Sequence, residues 1–193
     1  MQSQSYFTQS YNQSPPHQMT HVLVAGLWTS NKNKLISHIS ETPLEHVDLV
    51  GNLIPVELPK LLMGEIHVDS RLTTQIWGAP DNWQHDYVNY LVNIKTILNN
   101  QGDNHRVLGM IVVIDSVQTT SSADESKLVR LIQTDWSSPY IIVASRPYAH
   151  HARHIDDIYE SYRINQNVPI LPCDVTQPSE AKRMLIELMY RSM

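Results

Sequence analysis

At 193 residues, 41% of them hydrophobic and 17% charged, the chain has the length and composition of one soluble domain that can bury a core. A net charge of -5 argues against a general nucleic-acid binder, which needs a basic face, and the single cysteine, Cys173, excludes an intramolecular disulfide and a cysteine-based zinc site. No apolar run approaches the roughly 18 residues of a membrane span, and the N-terminus has neither the basic start nor the apolar core of a secretory signal, which points to the cytoplasm.

Residues 1–19 are rich in Gln, Ser and Tyr, carry a Pro-Pro pair and lack Asp, Glu, Lys and Arg. Such a stretch has little apolar surface to offset its ordering entropy, so a disordered tail is expected, followed by one domain over 20–193. Residues 22–25 form a short buried strand that runs into Gly26. Residues 32–40 read as a helix with Leu35, Ile36 and Ile39 on one face. Residues 41–63, with Pro43, Pro55 and Pro59, read as a loop that enters a strand late. Segments 65–69 and 72–77, separated by Ser70-Arg71, suggest an antiparallel hairpin.

Trp83, Tyr87, Tyr90, Leu91, Ile94, Ile97 and Leu98 recur at helical spacing, giving an amphipathic helix over 82–99. The almost unbroken apolar run 107–114 (VLGMIVVI) marks a central parallel strand covered on both faces. Ser122-x-x-Glu125 resembles a capping box and opens a helix to Asp135. A buried strand at 140–144, a helix at 151–164, a strand at 169–173 and a C-terminal helix from Thr176, Pro178 and Glu180 complete the chain. The order is β-α-β-β-α-β-α-β-α-β-α: an α/β, three-layer fold with a mostly parallel six-stranded sheet and one antiparallel strand. In such a sheet the functional loops lie at the carboxyl ends of the strands. That topology sets 26–32, 78–82, Asp115-Ser116, 145–148 and 173–175 on one rim.

The stretch HVLVAGLWTSNKN, residues 21–33, outlines a P-loop, G-x-x-x-x-G-K-[ST], with Gly26 and Lys32 in place. Asn31 stands where the second glycine belongs and Asn33 where the Ser or Thr belongs. Backbone N–H groups in such a loop cradle phosphates at a helix N-terminus, and the lysine reaches the outer phosphates. Asn31 is the most tolerable replacement for a glycine, because Asn enters positive φ more readily than other residues. Trp28 adds bulk to the loop. A lysine at an ordinary helix start is the plainer alternative.

With the five rim segments in this order, the chain resembles the Ras-like small GTPase superfamily over about residues 20–193. Within it, the likeness is to bacterial small GTPases of the gliding-motility (MglA) type: Met63-Gly64-Glu65-Ile66 precedes the hairpin, and Gly78-Ala79-Pro80-Asp81-Asn82 follows Ile76-Trp77. Segments 109–116 (GMIVVIDS) and 168–174 (VPILPCD) are similar to the family's later strands. The resemblance implies a P-loop fold, GTP or GDP with Mg²⁺ as ligands, and a protein partner, either a roadblock-type protein or polarity and motility machinery. It places phosphate binding at Gly26, Ser30, Asn31, Lys32 and Asn33. It places the switch at Gly78, Asp81 and Asn82, base binding at Ser145 and Arg146, and Mg²⁺ at Asn33 and Asp115. Asn82 takes the place of the water-orienting glutamine, one methylene shorter, and is the catalytic candidate.

Several of these positions depart from the family pattern. No threonine lies between Pro43 and Gly64, where switch I keeps its Mg²⁺ contact. Asp81 replaces the switch glycine and would face a polyanion, or else cap the following helix. Ser145-Arg146-Pro147-Tyr148 replaces N-K-x-D, so the guanine-reading aspartate is missing. Cys173 reads as a buried thiol and not a nucleophile. His150, His151 and His154 with Asp156 and Asp157 have spacing that suits a transition metal or a pH-sensitive patch, but an exposed polar helix face is the favoured reading. Three functions follow: a degenerate GTPase-like binding module with weak or absent GTP binding, an active divergent GTPase, and a nucleotide-binding protein without guanine preference in which Arg146 and Tyr148 contact the base.

Overall fold

The computed structural model describes residues 17–27, 30–48, 60–80, 87–117 and 123–193. The expected tail through residue 16, Trp28, the segment 49–59 with Pro55 and Pro59, the switch residues Asp81 and Asn82, Trp83 and the cap residue Ser122 lie outside the described residues.

Seven strands form one sheet: β1 (Gln18–Gly26), β2 (Glu45–Val47), β3 (Leu61–His67), β4 (Leu72–Gly78), β5 (His105–Asp115), β6 (Tyr140–Ser145) and β7 (Ile170–Cys173). Their order across the sheet is β2-β3-β4-β1-β5-β6-β7. β4, β1, β5, β6 and β7 run parallel, and β3 is antiparallel to both of its neighbours. Among the described residues five helices, α1 (Lys32–Ile39), α2 (Tyr87–Asn99), α3 (Ala123–Asp135), α4 (Ile155–Tyr162) and α5 (Pro178–Ser192), cover the two faces.

The alternation of side chains along the central strands divides the core in two. Val22 and Val24 of β1, Ile111 and Val113 of β5, and Ile141 and Val143 of β6 pack with Leu35, Ile36 and Ile39 of α1 and Met184, Leu185 and Leu188 of α5. Leu23, Ala25, Met110, Val112, Ile114, Ile142 and Ala144 point the other way, onto Leu91, Ile94 and Leu98 of α2, Leu128, Val129 and Ile132 of α3, and Ile158 of α4. Each fully buried aliphatic side chain of this kind contributes roughly 1.5–3 kcal/mol. The three-layer α/β architecture with one antiparallel strand is the one the sequence predicts.

Four boundaries differ from expectation. The sheet has seven strands and not six, because β2 lies in the stretch read as a loop; three residues, two of them exposed, leave no pattern to read. β3 begins at Leu61, at the end of the stretch expected to enter a strand late and four residues ahead of the segment 65–69, since Leu62 and Met63 already pair with Gly78 and Trp77. The predicted tail gives up its last two residues to β1: Gln18 N donates to Arg71 O at 2.7 Å and Met19 N to Asn104 O at 3.0 Å. α4 starts four residues late, because His151 sits in the left-handed region at φ 68° and His154 becomes the N-cap, accepting from Asp156 N.

Candidate functional site

Register brings the strand ends together. Gly26 of β1 lies opposite Val113 of β5, Gly78 of β4 opposite Val24, Asp115 opposite Ser145, and Ser145 opposite Cys173. The described parts of the five rim segments therefore share one edge of the sheet, as the topology predicts. Asp115 and Ser145 follow Val113 and Val143 by two residues, so both side chains fall on the α1/α5 side, the side from which α1 starts.

The described residues at the two ends of the turn from β1 to α1 are Gly26 and Leu27 on one side and Ser30, Asn31 and Lys32 on the other. A Cβ on Gly26 would lie 2.5 Å from Val113 O and 2.7 Å from Ser30 Oγ, so glycine is required by space. Asn31 holds φ 61° and ψ 26°, the left-handed conformation that glycine adopts without steric cost, and makes no side-chain cap. Its carbonyl accepts from Lys34 N at 3.0 Å and Leu35 N at 3.1 Å, which starts the helix. Ser30 is buried and its hydroxyl donates to Leu27 O at 2.5 Å. Lys32 opens α1 and is 2% exposed; burial lowers its ammonium pKa to about 8. Asn33 is exposed. Gly78 ends β4 under α1, where a Cβ would meet Ile36 Cδ1 at 2.7 Å.

The far half of the rim is built around Asp115, which is 1% exposed. Arg146, just past β6 at φ 55°, turns back onto it. Its Nε donates to Asp115 Oδ1 at 3.0 Å, and one terminal nitrogen donates to Oδ2. Val117 N also donates to Oδ1, at 3.0 Å. The main chain of Asp115 is held as well: its N–H donates to Glu125 Oε1 at 3.1 Å, and its carbonyl accepts from Arg153 at 2.9 Å. Behind it, Tyr162 donates to Glu125 and accepts from Arg153 at 3.0 Å. Burial pushes the Glu125 carboxyl above its usual range, against the hydrogen bond from Tyr162. Asp115 thus ties together β5, α3, the β6 loop and the approach to α4.

This geometry bears on each sequence-derived assignment. Mg²⁺ wants free carboxylate or carbonyl oxygens. Both oxygens of Asp115 accept hydrogen bonds, from the Arg146 guanidinium and from Val117 N, so a magnesium ion bound there would compete with Arg146. Among the described residues no group of three or more His, Cys, Asp or Glu is placed to hold a metal. His150 and His151 stack edge to face at 3.9 Å, before α4, and His154 pairs with exposed Asp156. Cys173 is fully buried, with its thiol pushed up to about 12, an inert core sulfur. Ser145 is buried, and its hydroxyl has no hydrogen-bond partner among the described residues. Tyr148, where the guanine-reading aspartate would stand, is 77% exposed. The Asp115–Arg146 pair and its support by Glu125, Tyr162 and Arg153 escaped the sequence reading. The adjacency of the β5 and β6 ends was the signal that points to it.

No protein-family model matches the sequence, and no curated protein matches it. Solved structures do match by fold. The G domain of the Thermotoga maritima FeoB iron transporter aligns at a TM-score of 0.55 with 16% identity, over 91% of this chain and 99% of that one. The Arl6 (BBS3) small GTPase of Trypanosoma brucei, with a bound nucleotide analogue, GppNp, aligns at 0.62 with 12% identity, over 91% and 98%. Aquifex aeolicus Era, bound to GDP and aluminium fluoride, aligns at 0.59 with 12% identity, over 90% of this chain and 57% of that one. The chain therefore has the fold of the P-loop GTPase domains. No helix among the described residues is long and apolar enough to cross a membrane.

Proposed function

We propose that this chain is a degenerate small GTPase-like protein, a pseudo-GTPase, that acts as a protein-interaction or regulatory module with weak or absent GTP binding. The observation that carries the reading is the commitment of Asp115. The rim carboxylate that could hold a cation is spent on Arg146, while the loop that should read guanine offers Tyr148. The hydrophobic core persists beneath this altered rim, with Gly26, Asn31 and Lys32 at the two ends of the β1–α1 turn. A folded surface is what such a protein keeps, and the resemblance to gliding-motility-type GTPases points to a roadblock-type partner or to polarity and motility machinery in the cytoplasm. A site that no longer cycles presents one constant face to that partner.

The test is calorimetry with Mg²⁺ and GTP on the whole chain, together with a phosphate-release assay. Dissociation constants of millimolar order or no heat, and no turnover, are expected. Micromolar Mg²⁺-dependent binding with hydrolysis would sink the proposal. That outcome belongs to the second reading, an active divergent GTPase, which two residues of the turn favour: Asn31 is left-handed, as a glycine readily is, and Lys32 stands buried at the start of α1. Under it Lys32→Ala abolishes turnover, with Asn33 helping to hold the ion and Asn82 placing the water.

A further inference from the structure

We propose that His17 and His67 form a binding site for a late divalent transition-metal ion, seated over Thr73 where β4 begins. The site lies away from the strand ends of the rim, and it does not depend on how the rim is read.

The strands bring the two rings together from either side. Thr73 is the second residue of β4, paired with His67, the last residue of β3, and with Met19 of β1. His17 lies two residues before Met19, just ahead of β1. β4 is the strand between β3 and β1, so the two rings reach in over it from opposite neighbours. Alternate residues of a strand share a face, which puts Thr73 on the face that carries Trp77, with His67 beside it. His17 Nε2 and His67 Nδ1 each lie 3.0 Å from Thr73 Oγ1. Thr73 is 2% exposed, whereas both histidines are exposed. The pair thus opens to water above a fixed floor.

This convergence suits a metal. Thr73 has one hydroxyl proton. Donated to one ring while the oxygen accepts from the other, it leaves one ring nitrogen with its lone pair turned inward. The second ring does the same once its proton moves to the outer nitrogen, a change of tautomer within neutral imidazole. Sharing one oxygen holds the two nitrogens within about 6 Å of each other. Metal–nitrogen bonds of about 2.0–2.1 Å need them within about 4 Å. Rotation of two exposed side chains supplies that closing and leaves the strands in place. Imidazole suits zinc, copper and nickel. The site is a pair, not the group of three or more that the described residues lack, so the other positions fall to water. Two carboxylates flank it. Glu65, two residues before His67 on the same face, is held by Gln75 Nε2 at 2.7 Å. Glu41 accepts from His67 N at 3.3 Å and is shared with Lys182. A bound ion fastens the entry to β1 onto the β3–β4 hairpin.

The experiment titrates Zn²⁺ into the whole chain by calorimetry at pH 7. One ion per chain is expected, with a dissociation constant in the tens of micromolar. His17→Asn and His67→Asn are each expected to weaken it at least about tenfold, a loss that removal of even an outer-shell partner brings. The double change His150→Asn with His151→Asn is expected to leave it unaltered. A second readout uses the unmodified chain: histidine acylation by diethyl pyrocarbonate, mapped by mass spectrometry. Zn²⁺ is expected to slow modification of His17 and His67 and to leave His150 and His151 as reactive as before. No zinc uptake at millimolar concentration overturns the proposal. Binding that survives the loss of either His17 or His67 overturns it, as does binding lost with His150 and His151. Acylation of His17 and His67 that zinc does not slow overturns it even where a variant fails to fold.

Discussion

Arg146 and Asp115, thirty-one residues apart in sequence, form a two-pronged ion pair across the neighbouring ends of β6 and β5. Asp115 is buried and Arg146 is half exposed, so the pair is asymmetric. Losing the arginine strands a carboxylate in the interior, whereas losing the carboxylate frees an arginine that water can reach. Arg146→Ala is therefore expected to destabilise the fold by about 2 kcal/mol. Arg146→Ala combined with Asp115→Asn is expected to recover part of that loss. Urea unfolding checks both, and equal stability of Arg146→Ala and the parent would remove the pair from the account.

Asn31 invites a test of the cradle's backbone. At φ 61° a residue with a Cβ carries a steric cost of about 1–2 kcal/mol, which Asn softens and Gly avoids. Asn31→Gly is expected to hold stability or raise it by up to about 0.5 kcal/mol, and Asn31→Ala to lower it by about 1 kcal/mol. Thermal melts would show that order. An Asn31→Ala protein as stable as Asn31→Gly would mean that the left-handed turn is not populated in solution.

How much of this was written legibly in the chain depends on the range of the interaction. The apolar runs at 22–25, 107–114 and 140–144 announced buried parallel strands, because a strand covered on both faces needs no partner to be recognised. Gly26, Asn31 and Lys32 were readable as a loop because their spacing is local. β2 was not, since three residues paired to Leu61, Leu62 and Met63 draw their shape from β3 alone. The Asp115–Arg146 pair was hidden for a similar reason. Asp115 invited a metal reading until the left-handed Arg146 was seen to reach it. Sequence order places both residues on the rim, but only the backbone turn after β6 aims one at the other.

Across β4, β1 and β5 runs a chain of rings, with Trp77 and His21 buried and His105 half-buried, that makes stability depend on pH. Trp77 Nε1 donates to His21 Nδ1 at 3.2 Å, so neutral His21 carries its proton on Nε2 and donates it to His105 Nδ1 at 3.0 Å. His21 is fully buried, and burial, seconded by His105 and opposed by a hydrogen bond with Gln75, lowers its pKa from 6.5 to about 4. The sign follows from linkage. Between pH 6.5 and 4 the unfolded chain takes up a proton at His21 that the folded chain refuses. The folded state therefore loses stability as pH falls through this window, by at most about 3 kcal/mol, and His21 adds no dependence above it. Replacing His21 by Gln removes the titrating group from the same buried position. Urea unfolding of the parent and of His21→Gln at pH 7 and pH 4.5 reads the contribution of His21 together with its coupling to His105. The parent is expected to lose about 2 kcal/mol more than the variant over this interval. Parallel losses would show that His21 is as basic in the fold as in the unfolded chain, and that the Trp77–His21–His105 chain does not exclude the proton.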